Sequence, residues 1–118
     1  MKMNENNAGL QAEQLAVSYL KSKGLKLVVQ NFHCPFGEID LIMLDGSMLV
    51  FVEVRLRSNA NFGSAASSIT PAKQQKLAHT AAYYLQQYSY QNPCRFDAVL
   101  MDKNDIQRII WLKNIFDV

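Results

Sequence analysis

The stretch that most constrains the fold is GEIDLIMLDGSMLVFVEVRLR, which begins at Gly37. It holds two apolar runs on either side of Asp45-Gly46-Ser47, a spacing typical of a β-hairpin with a two-residue turn. Short apolar runs bounded by turn residues are what strands buried inside a sheet require. The sequence therefore predicts two paired strands, over residues 38–45 and 48–57.

Four charged residues interrupt these apolar runs: Glu38 and Asp40 in the first strand, Glu53 and Arg55 in the second. If Gly46-Ser47 is the turn, Asp40 lies opposite Glu53 and Glu38 lies opposite Arg55. If the turn starts one residue earlier, Asp40 lies diagonal to Glu53. In both registers the four side chains share one face, because side chains alternate along a strand with a period of two.

The acidic pair Asp40 and Glu53 therefore suggests a site. Like charges opposite each other destabilise a hairpin, and such a pair either raises a pKa or recruits a cation. Clustered carboxylates suit Mg²⁺, and Arg55 is near enough to bind a phosphate beside such an ion. A structural alternative stays open, in which Glu53 pairs with Arg55 or Arg57, and Asp40 with Arg95, as ordinary ion pairs.

The rest of the chain predicts two helices and three further strands, in the order α-β-β-β-α-β-β. Residues 8–23 show helical apolar spacing, and Thr70 with Pro71 is typical of the start of a second helix. Of the three further strands, the first covers residues 25–34, the second begins at Arg95 and the third begins at Ile106. A second helix that crosses over makes the fourth strand parallel to a central one. The fold class is thus α/β, with a mixed β-sheet flanked by helices in a single domain, residues 1–118.

The connection between the third strand and the second helix, residues 58–69, is rich in small polar side chains. Its length is typical of a functional loop. Such residues bury little apolar surface, so we expect the loop to be mobile without nucleic acid and to become ordered when nucleic acid binds.

Composition narrows the class of protein. The chain has 118 residues, of which 49% are apolar, and no run approaches the ~18 apolar residues of a membrane helix. The polar start MKMNENNAGLQAEQ lacks the apolar segment of a signal peptide, so we expect a cytoplasmic protein without a membrane partner. The net charge of +2 is compatible with nucleic-acid binding without requiring it.

Four blocks in order, GEIDLI, LVFVEVRLRS, FGSAASSITPAKQQKL and RFDAVL, resemble the YraN family, uncharacterised protein family 0102. The resemblance covers residues 9–100. It implies a restriction-endonuclease-like fold and a distant relationship to archaeal Holliday-junction resolvases. It also implies a variant of the PD-(D/E)xK nuclease motif, in which an acid on one strand and an acid-x-lysine on the next bind Mg²⁺ or Mn²⁺.

The resemblance assigns roles to four residues. Asp40 takes the place of the first acid and Glu53 of the second, so these two would be the metal ligands. Arg55 occupies the lysine position, and Glu13 aligns with a helix acid that completes the site in resolvase-like relatives. Ile39 replaces the motif's proline. The glutamate on the first helix has an alternative reading as a solvated side chain.

Three functions follow as expectations. The first is a Mg²⁺-dependent nuclease acting on DNA, with branched DNA as the substrate by analogy to resolvases and with Arg57, Lys73 and Lys76 as further phosphate contacts. The second is a DNA-binding or assembly module that keeps the fold but has lost the chemistry. Arg55 favours this second function, because a guanidinium stays protonated and cannot act as a base. The third is a structural dimerisation domain, forming a homodimer, in which the carboxylates are merely paired. The two lysines have the alternative of a solvated helix face.

Overall fold

The fold is that of a computed structural model, which describes residues 5–57, 69–88 and 91–116. Two helices and five strands follow the predicted order, and their bounds are α1 Glu5–Ser22, β1 Lys26–Cys34, β2 Gly37–Asp45, β3 Met48–Arg57, α2 Pro71–Tyr88, β4 Cys94–Asp102 and β5 Asp105–Leu112. The first helix begins three residues earlier than predicted. The predicted loop at residues 58–69 lies, except for Ile69, outside the described residues.

The five strands form one mixed sheet in the order β1-β2-β3-β4-β5. All neighbouring pairs are antiparallel except β3 and β4, which run parallel because α2 crosses over between them. The α/β class and the parallel central pair are therefore confirmed. β3 lies at the centre of the sheet, and this explains why its first half is a continuous apolar run.

Each face of the sheet carries one helix. Along β3, Leu49 and Phe51 belong to the core beneath α2, whereas Val50 and Val52 belong to the core beneath α1. All four are almost completely buried. This alternation places every odd-numbered residue of β3, including those that follow Val52, on the α2 face.

Local chemistry explains where the helices end and begin. Leu25 donates its amide to the Leu20 carbonyl at 3.1 Å and Gly24 donates to Lys21 at 3.0 Å, the paired bonds of a Schellman motif. Gly24 has a φ of 97°, which glycine adopts without steric cost. At the start of α2, the Thr70 hydroxyl accepts the Lys73 amide at 3.2 Å, as the predicted cap requires. This cap fixes the first turn of α2 over the sheet.

No helix among the described residues is both long and apolar enough to cross a membrane.

Candidate functional site

The β2–β3 hairpin has the first of the two predicted registers. Asp45 pairs with Met48 across the turn Gly46-Ser47, and the pairing continues to Leu41 and Val52. Gly46 has a φ of 62°, as a tight hairpin turn requires. The paired ladder ends at Leu41 and Val52, one residue short of Asp40 and Glu53. Both registers that the sequence allows place these two acids near each other, and in the structure the charge of Asp40 acts on Glu53.

Asp40 lies where the two strands stop pairing. Its Oδ2 atom accepts the backbone amide of Val54 at 2.8 Å, so a carboxylate takes the place of a strand carbonyl at this point. This bond fixes the Asp40 side chain between β2 and β3. The end of the paired ladder is thus also the place where an acidic side chain is held in a fixed orientation.

The simple alternation assumed for this strand is interrupted. Ile39 and Ile42, three residues apart, pack in the same core beneath α2. On the neighbouring strand, Asn31 has a φ of 57°, and its flanking residues pair with the residues on either side of Asp40. Because both strands are irregular here, Asp40 does not follow the strict period of two. This irregularity left no clear signal in the sequence.

The predicted pairing of Glu38 with Arg55 is wrong. The β2–β3 ladder of the described hairpin ends at Leu41, so Glu38 has no partner residue on β3. Instead Glu38 lies opposite His33 of β1, and its Oε2 atom is 3.2 Å from His33 Nδ1. Both side chains are mostly exposed. Glu38 therefore belongs to the rim of the site and not to its centre.

Glu53 is the most buried acid of the site, with 9% of its surface exposed. Burial and then the negative charge of Asp40 raise the pKa of Glu53 to about 7. Two cations oppose this effect: Arg55 Nε is 3.5 Å and Lys73 Nζ is 3.8 Å from Glu53 Oε1. The pKa of Asp40 is raised as well, mainly by burial. The two carboxyl groups thus act on each other, as the hairpin register predicts.

Glu13 joins the site from α1. Its Oε1 atom is buried and has no hydrogen-bond partner among the described residues. Burial and the charge of Asp40 raise the pKa of Glu13, while the side chains of Asn31 and Gln30 lower it. The reading of Glu13 as a solvated helix glutamate is therefore wrong. The charge of the strand acid Asp40 thus acts on the helix acid Glu13.

Arg55 is also incompletely satisfied. Although its Nε atom is near Glu53, that nitrogen is buried and makes no hydrogen bond within the described part of the chain. A buried donor and a buried acceptor without partners each cost free energy. The candidate residues therefore include an acceptor suited to a cation, at Glu13, and a donor suited to an anion, at Arg55.

The remaining basic residues lie at increasing distance from the acids. Lys73 is in the first turn of α2 and reaches Glu53, whereas Lys76 lies one turn further along the helix and is exposed. Both lysines line a cleft of about 380 Å³ that also includes His33 and Glu38. Arg57 ends β3, where its guanidinium donates to the Leu56 carbonyl at 3.3 Å. The sequence predicts Lys73 as a phosphate contact, and nothing in the sequence indicates that Lys73 lies next to Glu53.

The predicted ion pair between Asp40 and Arg95 is absent, because Arg95 binds other acids. Its Nε atom donates to both carboxylate oxygens of Asp97 at 3.0 and 3.1 Å, and its Nη2 atom is 3.1 Å from Asp45 Oδ2. Asp97 is therefore a structural partner of Arg95. The alternative pairing of Glu53 with Arg55 as an ion pair is confirmed, with 3.5 Å between Arg55 Nε and Glu53 Oε1 and no hydrogen bond between them.

The donor set fits one mode of metal binding. No group of three or more His, Cys, Asp or Glu side chains in the described ranges is arranged to hold a metal ion. A site that depends on protein ligands alone, such as structural zinc, therefore does not fit. Mg²⁺ is commonly held by one or two carboxylates together with water and substrate phosphates. The pair Asp40 and Glu53 suits this mode, and both pKa values stay raised because Lys73 and Arg55 do not offset the burial of the two carboxyl groups.

Comparison with known proteins decides the family. The model of uncharacterised protein family UPF0102 matches residues 12–101 of the chain. The chain belongs to this family. Every candidate residue named above lies within the matched region. The family is the YraN family, which the four sequence blocks resemble.

Curated UPF0102 proteins are similar over nearly their whole length. One from Legionella pneumophila is 55% identical over 108 residues, which is 90% of this chain and 91% of the relative. One from Nitrosospira multiformis is 53% identical over 110 residues, covering 93% and 92% of the two chains. One from Methylobacillus flagellatus is 51% identical over 108 residues, covering 92% and 95%. The names of these relatives state no activity, and only the residues of the site indicate a function.

Proposed function

We propose that this UPF0102 protein is a Mg²⁺- or Mn²⁺-dependent nuclease that hydrolyses phosphodiester bonds of DNA. The observation that carries the proposal is the buried carboxylate Glu53, which lies beside Asp40 with its pKa raised to about 7 and has two cations within 4.0 Å. The charge of a structural acid is normally balanced by hydrogen-bond and ion-pair partners. This site instead combines excess negative charge with a buried Arg55 nitrogen that makes no hydrogen bond.

Each residue has a role in this proposal. Asp40 and Glu53 would hold the divalent ion, and the unpartnered Oε1 atom of Glu13 would accept a hydrogen bond near Asp40. When bound, such an ion activates water and neutralises charge on the phosphate. Arg55 binds the phosphate through its guanidinium, which can contact two oxygens at once. Lys73 adds a second positive charge beside Glu53.

Branched DNA as the substrate rests on the resemblance to Holliday-junction resolvases alone, and a shared fold does not fix a substrate. The charges of the described residues support a nucleic acid more generally. Lys73 and Lys76 lie on a helix whose sequence has no acidic residue, so nothing on that helix repels a phosphate. Few basic residues surround the site, and this predicts weak binding that depends strongly on salt.

A second candidate function has one observation in its favour. Arg55 stands where the nuclease motif has a lysine, and a guanidinium cannot accept a proton at working pH. A DNA-binding or assembly module would keep the site's charge without cleaving DNA. Lys73 weakens this alternative, because an ammonium group is present at Glu53 despite the substitution.

A cleavage assay separates the two functions. Branched, single-stranded and duplex DNA would be incubated with the protein and Mg²⁺ or Mn²⁺, alongside Asp40→Asn and Glu53→Gln. Asp105→Asn is the matched control, since it removes an exposed carboxylate on β5. The nuclease proposal expects cleavage by the wild type and the control only. DNA binding without cleavage of any substrate by the wild type would support the module instead.

A further inference from the structure

A second surface adjoins the proposed site and has no role in it. Phe36 lies in the turn between β1 and β2, where Cys34 pairs with Gly37. With 53% of its surface exposed, it is one of the few large exposed apolar side chains among the described residues. Turns favour Gly, Pro, Asn, Asp and Ser, so turn chemistry does not explain a phenylalanine here.

Two aromatic rings of α2 accompany Phe36. Its ring centroid is 6.2 Å from that of His79 and 6.0 Å from that of Tyr83, with the rings inclined at 63° and 61°. Together with Ala82 and Gln86, these three side chains line a cavity of about 280 Å³, which we call the aromatic slot. The slot is slightly smaller than the roughly 300 Å³ at which drug-sized pockets begin, which suits a single flat ring system.

The position of the slot indicates what it binds. Lys73, Lys76, His79 and Tyr83 follow one another along α2 at intervals of three or four residues, so they lie on one side of the helix. The first of them contacts Glu53 and the second lines the basic cleft. A chain of phosphates that enters the proposed site and follows the two lysines therefore arrives at the aromatic slot.

From these observations we infer that the aromatic slot binds an unpaired nucleobase of DNA, which stacks on Phe36. Aromatic side chains next to a basic groove are how proteins hold single-stranded nucleic acid. The base must be unpaired, because the faces of paired bases in a duplex are covered by their neighbours. The inference rests on the proposed function in taking DNA as the ligand, and it adds that the substrate has a single-stranded segment.

The geometry also gives a distance. Lys73 and Tyr83 are ten residues apart in α2, which is about 15 Å along the helix axis. That is about four nucleotides at the 3.4 Å rise of a stacked strand. The unpaired base therefore lies a few nucleotides from the phosphate at the acidic pair, and the strand between them passes the two lysines. Gln86 at the slot's edge offers an amide that can hydrogen-bond to a base edge.

The test measures DNA binding in EDTA by fluorescence anisotropy, so it does not depend on cleavage. The ligands are a blunt duplex and the same duplex with a single-stranded overhang. The wild type should bind the overhang more tightly. Phe36→Ala should weaken binding of the overhang by about 5- to 100-fold, the range for loss of one stacked base, and leave the blunt duplex unchanged. Phe36→Tyr should restore the preference, because it keeps the ring.

Two controls separate stacking from a change in the fold. Leu10→Ala truncates another exposed apolar side chain, 49% exposed on α1, and should leave the preference intact. Phe36→Trp provides a direct signal, because stacking on a base should quench the added tryptophan fluorescence with the overhang and not with the blunt duplex. Absence of that quenching would contradict the inference.

The outcomes also distinguish this inference from the proposed nuclease. A preference for the overhang that is lost in Phe36→Ala, with no cleavage under any condition, would keep the slot and end the nuclease proposal. Cleavage together with unchanged overhang binding in Phe36→Ala would do the reverse. If Phe36→Ala instead dissociates a dimer in light scattering and binds DNA normally, the slot holds a second copy of the chain and the inference is wrong.

Discussion

Two buried acidic groups on the same sheet have opposite surroundings. Asp97 on β4 is fully buried, and both of its oxygens are satisfied, by Arg95 Nε, by Trp111 Nε1 at 2.9 Å and by the Asn114 amide at 2.9 Å. Glu53 on β3 is nearly as buried, yet its nearest cations lie at 3.5 and 3.8 Å and its strongest neighbour is another acid.

The difference teaches how to separate a structural acid from a functional one. The surroundings of Asp97 offset the cost of burying its charge, so the group stabilises the fold without any ligand. The surroundings of Glu53 compensate its charge only in part, because Arg55 and Lys73 lie beyond hydrogen-bond contact and Asp40 adds a second negative charge. Burial alone would have ranked Asp97 as the better candidate for a site. Hydrogen-bond satisfaction gives the opposite ranking.

The largest expected effect is on stability at the satisfied acid. Asp97→Asn should lower the free energy of unfolding by about 3 kcal/mol or more, because it leaves the buried Arg95 charge without its main partner. Urea denaturation at pH 7 in EDTA measures this loss. The same change in the acidic pair, Asp40→Asn, should lower the free energy of unfolding far less. An equal loss would contradict the contrast between Asp97 and the acids of the candidate site.

The second effect is on catalysis. Arg55→Ala should reduce the rate of DNA cleavage by about 100- to 1,000-fold, as loss of a preorganised donor to transition-state charge does. Arg55→Lys should keep or raise the rate, because lysine is the residue that the nuclease motif uses there. Initial rates with Mg²⁺ and with Mn²⁺ measure both. Cleavage by Arg55→Ala at the wild-type rate would remove Arg55 from the mechanism and leave the two acids in place.

The third effect is on pH dependence. The folded-state pKa of Glu53 is raised from 4.5 to about 7, so its contribution to stability is fully present below pH 4.5 and is lost as pH rises to 7. The loss should reach about 3 kcal/mol in EDTA. Urea midpoints at pH 4.5 and pH 8 should therefore differ less for Glu53→Gln than for the wild type. Equal differences would mean that Glu53 is ionised across this range and already matched by its partners.

The smallest effect is on the salt dependence of DNA binding. If Arg55, Arg57, Lys73 and Lys76 all contact phosphates of a duplex, the slope of log affinity against log salt is roughly −3.6. Lys76→Ala should make that slope shallower by about 0.9, with little change in stability because Lys76 is exposed. Affinity that does not respond to salt would contradict phosphate contacts by these residues.

The strands and helices could be predicted because local patterns determine them. The turn Gly46-Ser47 set the hairpin register, and Thr70 with Pro71 set the start of α2. Both registers that the sequence allows place Asp40 near Glu53, and the charge of Asp40 acts on Glu53 in the structure. These features depend on a few residues that are neighbours in sequence or across one turn.

The rest of the site depends on contacts between distant elements. The approach of Lys73 to Glu53 and the burial of Glu13 follow from how α2 and α1 pack on the sheet, which no local spacing encodes. The irregularity at Asn31 is not visible in the sequence, since a positive φ leaves no periodic signal. The sequence around Phe36 indicates only a turn, because the aromatic neighbours of Phe36 lie on a helix more than forty residues away.

The central claim is that Asp40 and Glu53 form an incomplete site for a divalent cation, and calorimetric titration with Mg²⁺ and Mn²⁺ tests it most directly. Because the pKa of Glu53 is raised to about 7, binding of the ion at neutral pH should release protons, which titrations in two buffers of different ionisation enthalpy measure. The account predicts binding by the wild type and Asp105→Asn, and none by Asp40→Asn or Glu53→Gln. A binding heat that survives both substitutions at the pair would contradict it.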